Sequence, residues 1–144
     1  MNKKNVLITG MSGRIGTALN KFLGNKYSFT GLNRNPIDGI RNVTADITDL
    51  ESIIPHFRGQ ETVVHLAAAL STGVSIEDII DRNIKGVYNV YEAARITGVK
   101  RVVFASSGNT IVGYTLDSPY REIESGQYHL VGENWDRITH LDPV

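Results

Sequence analysis

Two hydrophobic periods alternate along the chain. Short apolar, β-branched runs at Val6 to Thr9, Phe29 to Leu32, Val43 to Ala45, Thr62 to Leu66 and Arg101 to Ala105 read as strands buried on both faces. Between them the apolar residues shift to helical spacing. After the first strand these are Ile15, Ala18, Leu19, Phe22 and Leu23, with Gly24 placed for a left-handed C-cap. A short helix starts at about Asp49. A long one runs from Ser75, with Ile76, Ile79, Ile80, Ile84, Val87, Tyr88, Val90, Tyr91 and Ala94 forming one apolar stripe for burial. Ser75 with Asp78 resembles a capping box, and Gly98 can end this helix in the left-handed conformation. Such alternation predicts an α/β fold, a right-handed, doubly wound parallel sheet of five strands. Beyond Gly113 the pattern dissolves into charge, Gly and Tyr, with Pro119 and Pro143 as breakers. We therefore expect a domain over 1–113 and an irregular segment over 114–144.

The first strand runs directly into Thr9-Gly10-Met11-Ser12-Gly13-Arg14-Ile15-Gly16. Glycines spaced three apart at this junction are what a strand needs to turn sharply into a helix whose first amides face a pyrophosphate. Gly10 permits the turn, Gly13 lets the backbone approach phosphates with no Cβ in the way, and Gly16 lets the helix pack close. With 14 glycines in the chain the triplet alone is weak; the preceding strand and following amphipathic helix make it a dinucleotide fingerprint. Met11, Ser12, Arg14 and Ile15 complete this set of cofactor-binding candidates.

Composition narrows the picture further. The 144 residues suffice for one domain with a core but are short for a complete two-halved nucleotide fold plus a substrate region. A chain with 41% hydrophobic and 21% charged residues, without repeats or low complexity, reads as an ordinary soluble globular protein. Met1-Asn2-Lys3-Lys4 does not open a signal peptide, and the richest apolar run, Val63 to Leu70, contains His65, so no membrane span is expected. Zero cysteines exclude disulfides and cysteine-based metal sites, which fits a reducing cytoplasm, and no metal site is expected. Net charge is zero but uneven: seven Lys/Arg stand against Asp38 in residues 1–41, and seven acids against Arg58 and Arg82 in residues 42–82. The basic first third suits a phosphate-bearing cofactor; no aromatic-basic motif points to nucleic acid.

In a dinucleotide site, an acid at the end of the second strand, roughly 20 residues past the glycines, holds the adenosine ribose. Here that strand ends Leu32-Asn33-Arg34. Asn33 removes the carboxylate that would repel a 2′-phosphate, and Arg34 can pair with one bidentately, which leans the choice between NAD and NADP toward NADP. Asn33 could equally hydrogen-bond the NAD ribose while Arg34 stays solvated.

Several motifs in order resemble the extended short-chain dehydrogenase/reductase family, the NAD(P)-dependent epimerases and dehydratases. They are Thr9 to Gly16, Asp46-Ile47 after the third strand, His65-Leu66-Ala67-Ala68, the helical Asn83, and the strand-end pair Ser106-Ser107. The resemblance runs from the start of the chain to about Gly113. It implies a Rossmann-like fold in which Asp46 hydrogen-bonds the adenine amino group, Ile47 contacts the ring, and Leu66 to Ala68 line the cofactor. It also implies Ser106 beside the cofactor and Asn83 supporting a proton-relay water, although pattern alone equally allows a solvent-facing Asn83. Plain small-residue packing would account for Ala67 to Ala69, and His65 reads as a satisfied core histidine. In the family, the serine matched by Ser107 hydrogen-bonds the substrate carbonyl or hydroxyl. A tyrosine, its pKa lowered by a lysine, then exchanges the proton as hydride moves. The family commonly dimerises through a helix bundle that includes the Ser75 to Thr97 segment, so a homodimer is expected.

The chain departs from the family at Tyr-x-x-x-Lys. Residues four beyond Tyr27, Tyr88, Tyr91, Tyr114, Tyr120 and Tyr128 are Gly31, Glu92, Arg95, Ser118, Glu124 and Gly132. The sequence stops at Asp142-Pro143-Val144, near where relatives enter the helix bearing that motif. We therefore read it as the N-terminal part of a longer sugar dehydrogenase or epimerase, truncated before that helix and inactive alone. The alternative is a non-catalytic NAD(P) sensor. The run Phe104 to Tyr114 resembles uronate and related sugar dehydrogenases more than nucleotide-sugar epimerases, which show Val-Tyr-Gly in place of Ile111-Val112-Gly113. A sugar or sugar-acid substrate is thus implied, with Ser71, Thr72, Ser107 and Asn109 as candidate contacts; Ser71 and Thr72 could instead only shape a turn. If a covering helix is missing, apolar surface beside the fifth strand is left open and self-association would bury it.

Overall fold

Each predicted apolar run forms a strand. The computed structural model describes residues 3–69, 73–108, 113, 116 and 120–126. Strands β1 (Lys4–Thr9), β2 (Tyr27–Asn33), β3 (Asn42–Thr44), β4 (Thr62–His65) and β5 (Arg101–Phe104) make one sheet in the order β3-β2-β1-β4-β5, with every pairing parallel. The chain moves outward from β1 to β2 and β3, then returns to β4 on the other side of β1. The carboxyl ends of β1 and β4 therefore flank the point where strand order reverses, where ligands bind in open α/β sheets.

Burial on both faces explains the apolar runs of the central strands β1 and β4, whereas the edge strands β3 and β5, also expected to be buried on both faces, are half-buried to exposed because each has a neighbouring strand on one side only. Leu7 of β1 joins Leu32, Ile53, Phe57, Val63, Val90 and Ala93 in one core, beneath the mutually packed helices α2 (Leu50–Phe57) and α4 (Gly86–Thr97). Val6 and Ile8, on the opposite face, join Met11 and are met by Leu19 of α1 (Arg14–Leu23). Asp49 caps α2 by accepting from the Ser52 amide at 3.3 Å.

Two expectations about helices are corrected. Gly24 is not left-handed: at φ −62° and ψ −19° it continues the right-handed turn and donates its amide to Asn20 O at 3.0 Å. A Cβ there would stand 2.6 Å from that same carbonyl, so the site selects glycine by closeness rather than by handedness. The segment read as one buried helix divides into α3 (Ile76–Ile79), a π-helical stretch Ile80–Lys85, and α4. Its ends match expectation, since the Ser75 hydroxyl accepts from the Asp78 amide at 3.1 Å and Gly98 turns left-handed at φ +74°. Its buried face matches only in part, at Val90 and Ala94. Ile76, Ile80, Ile84, Tyr88 and Tyr91 lie exposed, whereas Gly86, Asn89, Val90, Ala93 and Ala94 face inward. Small residues win the inner face because the helix sits close: a Cβ on Gly86 would meet Ile47 Cδ1 at 2.7 Å.

On the outer strand β5, Val103 and Phe104 remain nearly half exposed, at 47% and 45%. The chain divides between Ala105 and Ser106 into two compact units. In the second, α5 (Tyr120–Glu124) is a short helix where the sequence predicts irregular chain. Among the described residues no helix is long and apolar enough to cross a membrane.

Candidate functional site

The glycine turn takes its shape from contacts on all sides. Gly10 has φ +72° and donates its amide to Leu32 O at 3.0 Å, which ties the turn to the end of β2. A Cβ on Gly10 would come within 2.8 Å of the Ala67 nitrogen, so the chain leaving β4 also presses on the turn. Gly13 is the extended N-cap of α1, no side chain caps that helix, and a Cβ on Gly16 would fall 2.4 Å from Met11 O. Met11 is fully buried beneath the turn, while Arg14 and Ile15 point outward from α1.

A cleft of about 510 Å³ opens above these strand ends. Gly10, Ser12 and Gly13 line it from the turn, Asn33 and Arg34 from the end of β2, Asp46 and Ile47 from beyond β3, and Leu66, Ala67 and Ala68 from beyond β4. Sequence reasoning missed Leu32, Asn35, Pro36, Ala45 and Arg82, which also line it. The first four flank motif residues and were within reach of the sequence; Arg82 sits on a distant helical segment. Met11, Arg14, Ile15, Gly16 and Asn83 are not among the lining residues.

Polar groups lock these walls together. Asn33, only 7% exposed, accepts the Ser12 amide on Oδ1 at 3.3 Å, while its buried Nδ2 finds no partner among the described residues. An orphaned donor at the wall of a glycine-floored cleft fits an oxygen-rich ligand such as a dinucleotide's ribose or phosphate. Asp46 holds its loop by accepting from Thr48 N and Oγ1, both at 2.9 Å. Asn89, buried in α4, donates to Ile47 O at 2.9 Å. Asn83 neither faces solvent nor leaves its amide open: Oδ1 accepts from Ala69 N at 2.7 Å and Nδ2 donates to Ala69 O at 2.9 Å. Its side chain thus clamps the loop that follows the Leu66–Ala68 wall.

Thr9 and His65 join the ends of β1 and β4. Thr9 Oγ1 accepts from the amides of Leu66 and Ala67 at 3.3 Å, so its own hydrogen is donated to His65 Nδ1 at 2.6 Å. This makes the imidazole the neutral Nε2–H tautomer. Burial pushes its pKa down to about 4, Phe104 stacks on it at 5.7 Å, and Nε2 has no partner among the described residues. The expected core histidine is therefore buried but satisfied on one nitrogen.

Ser106 and Ser107, both exposed, belong to the second unit, and Ser71, Thr72 and Asn109 lie outside the described residues. Among the described residues no group of three or more His, Asp or Glu could hold a metal ion.

The model of the NAD dependent epimerase/dehydratase family matches residues 6–132. The chain is 35% identical over 118 residues to a uronate dehydrogenase of Pseudomonas putida, an alignment covering 78% of this chain and 44% of that protein. It is 31% identical over 111 residues to an L-arabinose 1-dehydrogenase (NAD(P)(+)) of Haloferax volcanii, covering 77% and 44% respectively. In three dimensions it is similar to a variant of the Agrobacterium tumefaciens uronate dehydrogenase complexed with NAD, at a TM-score of 0.65 and 32% identity. That match covers 74% of this chain and 42% of the other. The chain thus spans less than half the length of the relatives it matches.

Proposed function

From the premise that the chain belongs to the NAD dependent epimerase/dehydratase family, we propose that it is the dinucleotide-binding part of a dehydrogenase acting on a sugar or sugar acid. The observation that carries this reading is the convergence of four separate strand ends on one cleft, beside an uncapped helix start. In it the Gly10–Gly13 backbone admits the pyrophosphate to the start of α1. Asp46 and Ile47 take the adenine, and Leu66 to Ala68 form the wall along the rest of the cofactor. The Asn33 amide and the Arg34 guanidinium favour the 2′-phosphate of NADP. Once bound, the nicotinamide ring supplies the hydride acceptor.

Ser107 holds a substrate oxygen in this reading, as a hydrogen-bonding group rather than a nucleophile. Ser71, Thr72 and Asn109 are further candidates for substrate contact, and Ser106 for cofactor contact, on the family resemblance alone. The sugar class is supported by the uronate and arabinose dehydrogenases among the relatives. No tyrosine here has a lysine four residues on, so the proton-exchanging pair of the family is missing from this chain. It binds dinucleotide and by itself turns over no sugar.

Calorimetric titration tests both halves. NADP⁺ is expected to bind more tightly than NAD⁺, and Asn33→Asp to reverse that order by placing a carboxylate against the 2′-phosphate. Absence of binding of either dinucleotide at millimolar concentration overturns the assignment. Sustained NAD(P)H formation from uronates or aldoses by this chain overturns the inactivity.

A further inference from the structure

Arg82 is the one described residue of the 76–97 helical segment that lines the dinucleotide cleft. Three observations bear on its presence there. It lies in the π-helical stretch Ile80–Lys85, and such widened turns are frequent at functional sites. Its neighbour Asn83 is held to the Ala69 backbone by two hydrogen bonds, which fixes the Arg82 backbone beside the loop leaving β4. The charges of the cleft are unbalanced: Arg34 and Arg82 face it with Asp46 as the lone lining carboxylate, and Asp46 Oδ1 is already engaged by Thr48.

The guanidinium pairs with Asp78 at 3.0 Å, one helical turn back, with the two side chains 30% and 46% exposed. An exposed pair four residues apart holds little energy, whereas a phosphate offers bidentate, charge-assisted acceptors. We propose that Arg82 is a phosphate-binding residue of this cleft, exchanging Asp78 for a phosphate of the dinucleotide, so that Arg34 and Arg82 hold the ligand from two separate elements. The proposal rests on the dinucleotide reading above and adds a residue to it.

The test is calorimetric titration of the intact chain and its Arg82→Gln variant with NAD⁺, NADP⁺ and inorganic pyrophosphate. Arg82→Gln is expected to weaken dinucleotide binding by about tenfold to a hundredfold, the loss of a charged hydrogen-bonding partner. Equal loss for both dinucleotides places Arg82 on the pyrophosphate; loss confined to NADP⁺ places it on the 2′-phosphate. Unchanged affinities in a variant that melts like the wild type overturn the proposal. If the wild type binds pyrophosphate through Arg82 but neither dinucleotide, the dinucleotide reading fails while the phosphate role stands; if it binds none of the three, both fail. Asp78→Asn, which removes the competing carboxylate outside the cleft, supplies a second check should Arg82→Gln fold poorly. It is expected to tighten binding by up to about fivefold, and a weakened affinity would count against the proposal.

Discussion

Thr9 and His65 join the strand end that feeds the glycine turn to the end of β4 through one hydroxyl with three hydrogen bonds. The arrangement works only while the ring is neutral, since a proton on Nδ1 would face an oxygen whose lone pairs are both engaged. Folding lowers the His65 pKa from 6.5 to about 4, so between those values the unfolded chain binds the proton and the folded chain does not. Stability therefore falls as pH drops from about 6.5 to about 4, by about 3 kcal/mol in all. Urea unfolding at pH 7 and pH 4.5 measures it. His65→Asn, which can still accept from Thr9 but does not titrate, should lose much less on acidification; parallel losses in both proteins would show that other groups carry the effect.

At the level of elements, the 76–97 segment is where pattern and packing part. Residues four apart on an α-helix drift by about 40° per step, so Ile76, Ile80, Ile84 and Tyr88 would wind around it. The wider π turn takes back part of that drift and keeps the apolar stripe on one side, outside. The same stretch carries Asn83 to Ala69. Asn83→Ala would remove both hydrogen bonds to the half-buried Ala69 backbone, a cost of about 0.5–1.5 kcal/mol each, and would free the loop beside Leu66 to Ala68. We expect a lower melting temperature together with weaker dinucleotide binding; a lower melting temperature with unchanged affinity would separate the clamp from the cleft. Spacing reveals that a helix is amphipathic, but not which half of a broad apolar stripe the sheet will accept. Glycine and alanine in the same turns were the available clue, since they let α4 settle close to Ile47.

For the whole molecule, Ile76, Ile80, Ile84, Tyr88 and Tyr91 of the helical segment are large apolar side chains left exposed. We propose a homodimer through the helical face, where identical stripes can pair about a two-fold axis. Sedimentation equilibrium should show self-association, and Ile80→Asp with Ile84→Asp should reduce it while leaving dinucleotide binding intact. A monomeric wild type at high concentration would contradict this.

Local requirements make much of the protein legible in its residues alone. Strands buried on both faces must be apolar throughout, and a strand turning into an uncapped helix needs glycine at Gly10, Gly13 and Gly16. The parallel sheet and Gly10, Ser12, Gly13, Asn33 and Arg34 of the cleft wall could be read from residue type and spacing, whereas Asp46, Ile47 and Leu66 to Ala68 came only through the family resemblance that the ordered motifs carry. Tertiary structure alone decided which side of the long helical segment is buried, what Asn83 holds, which Asn33 donor is left open, and that Arg82 reaches the cleft. Each depends on where separate segments meet: Asn83 and Ala69 are 14 residues apart, Ser12 and Asn33 21, Thr9 and His65 56. Such partners are chosen by the distance between packed elements, a quantity that no local period of the chain encodes.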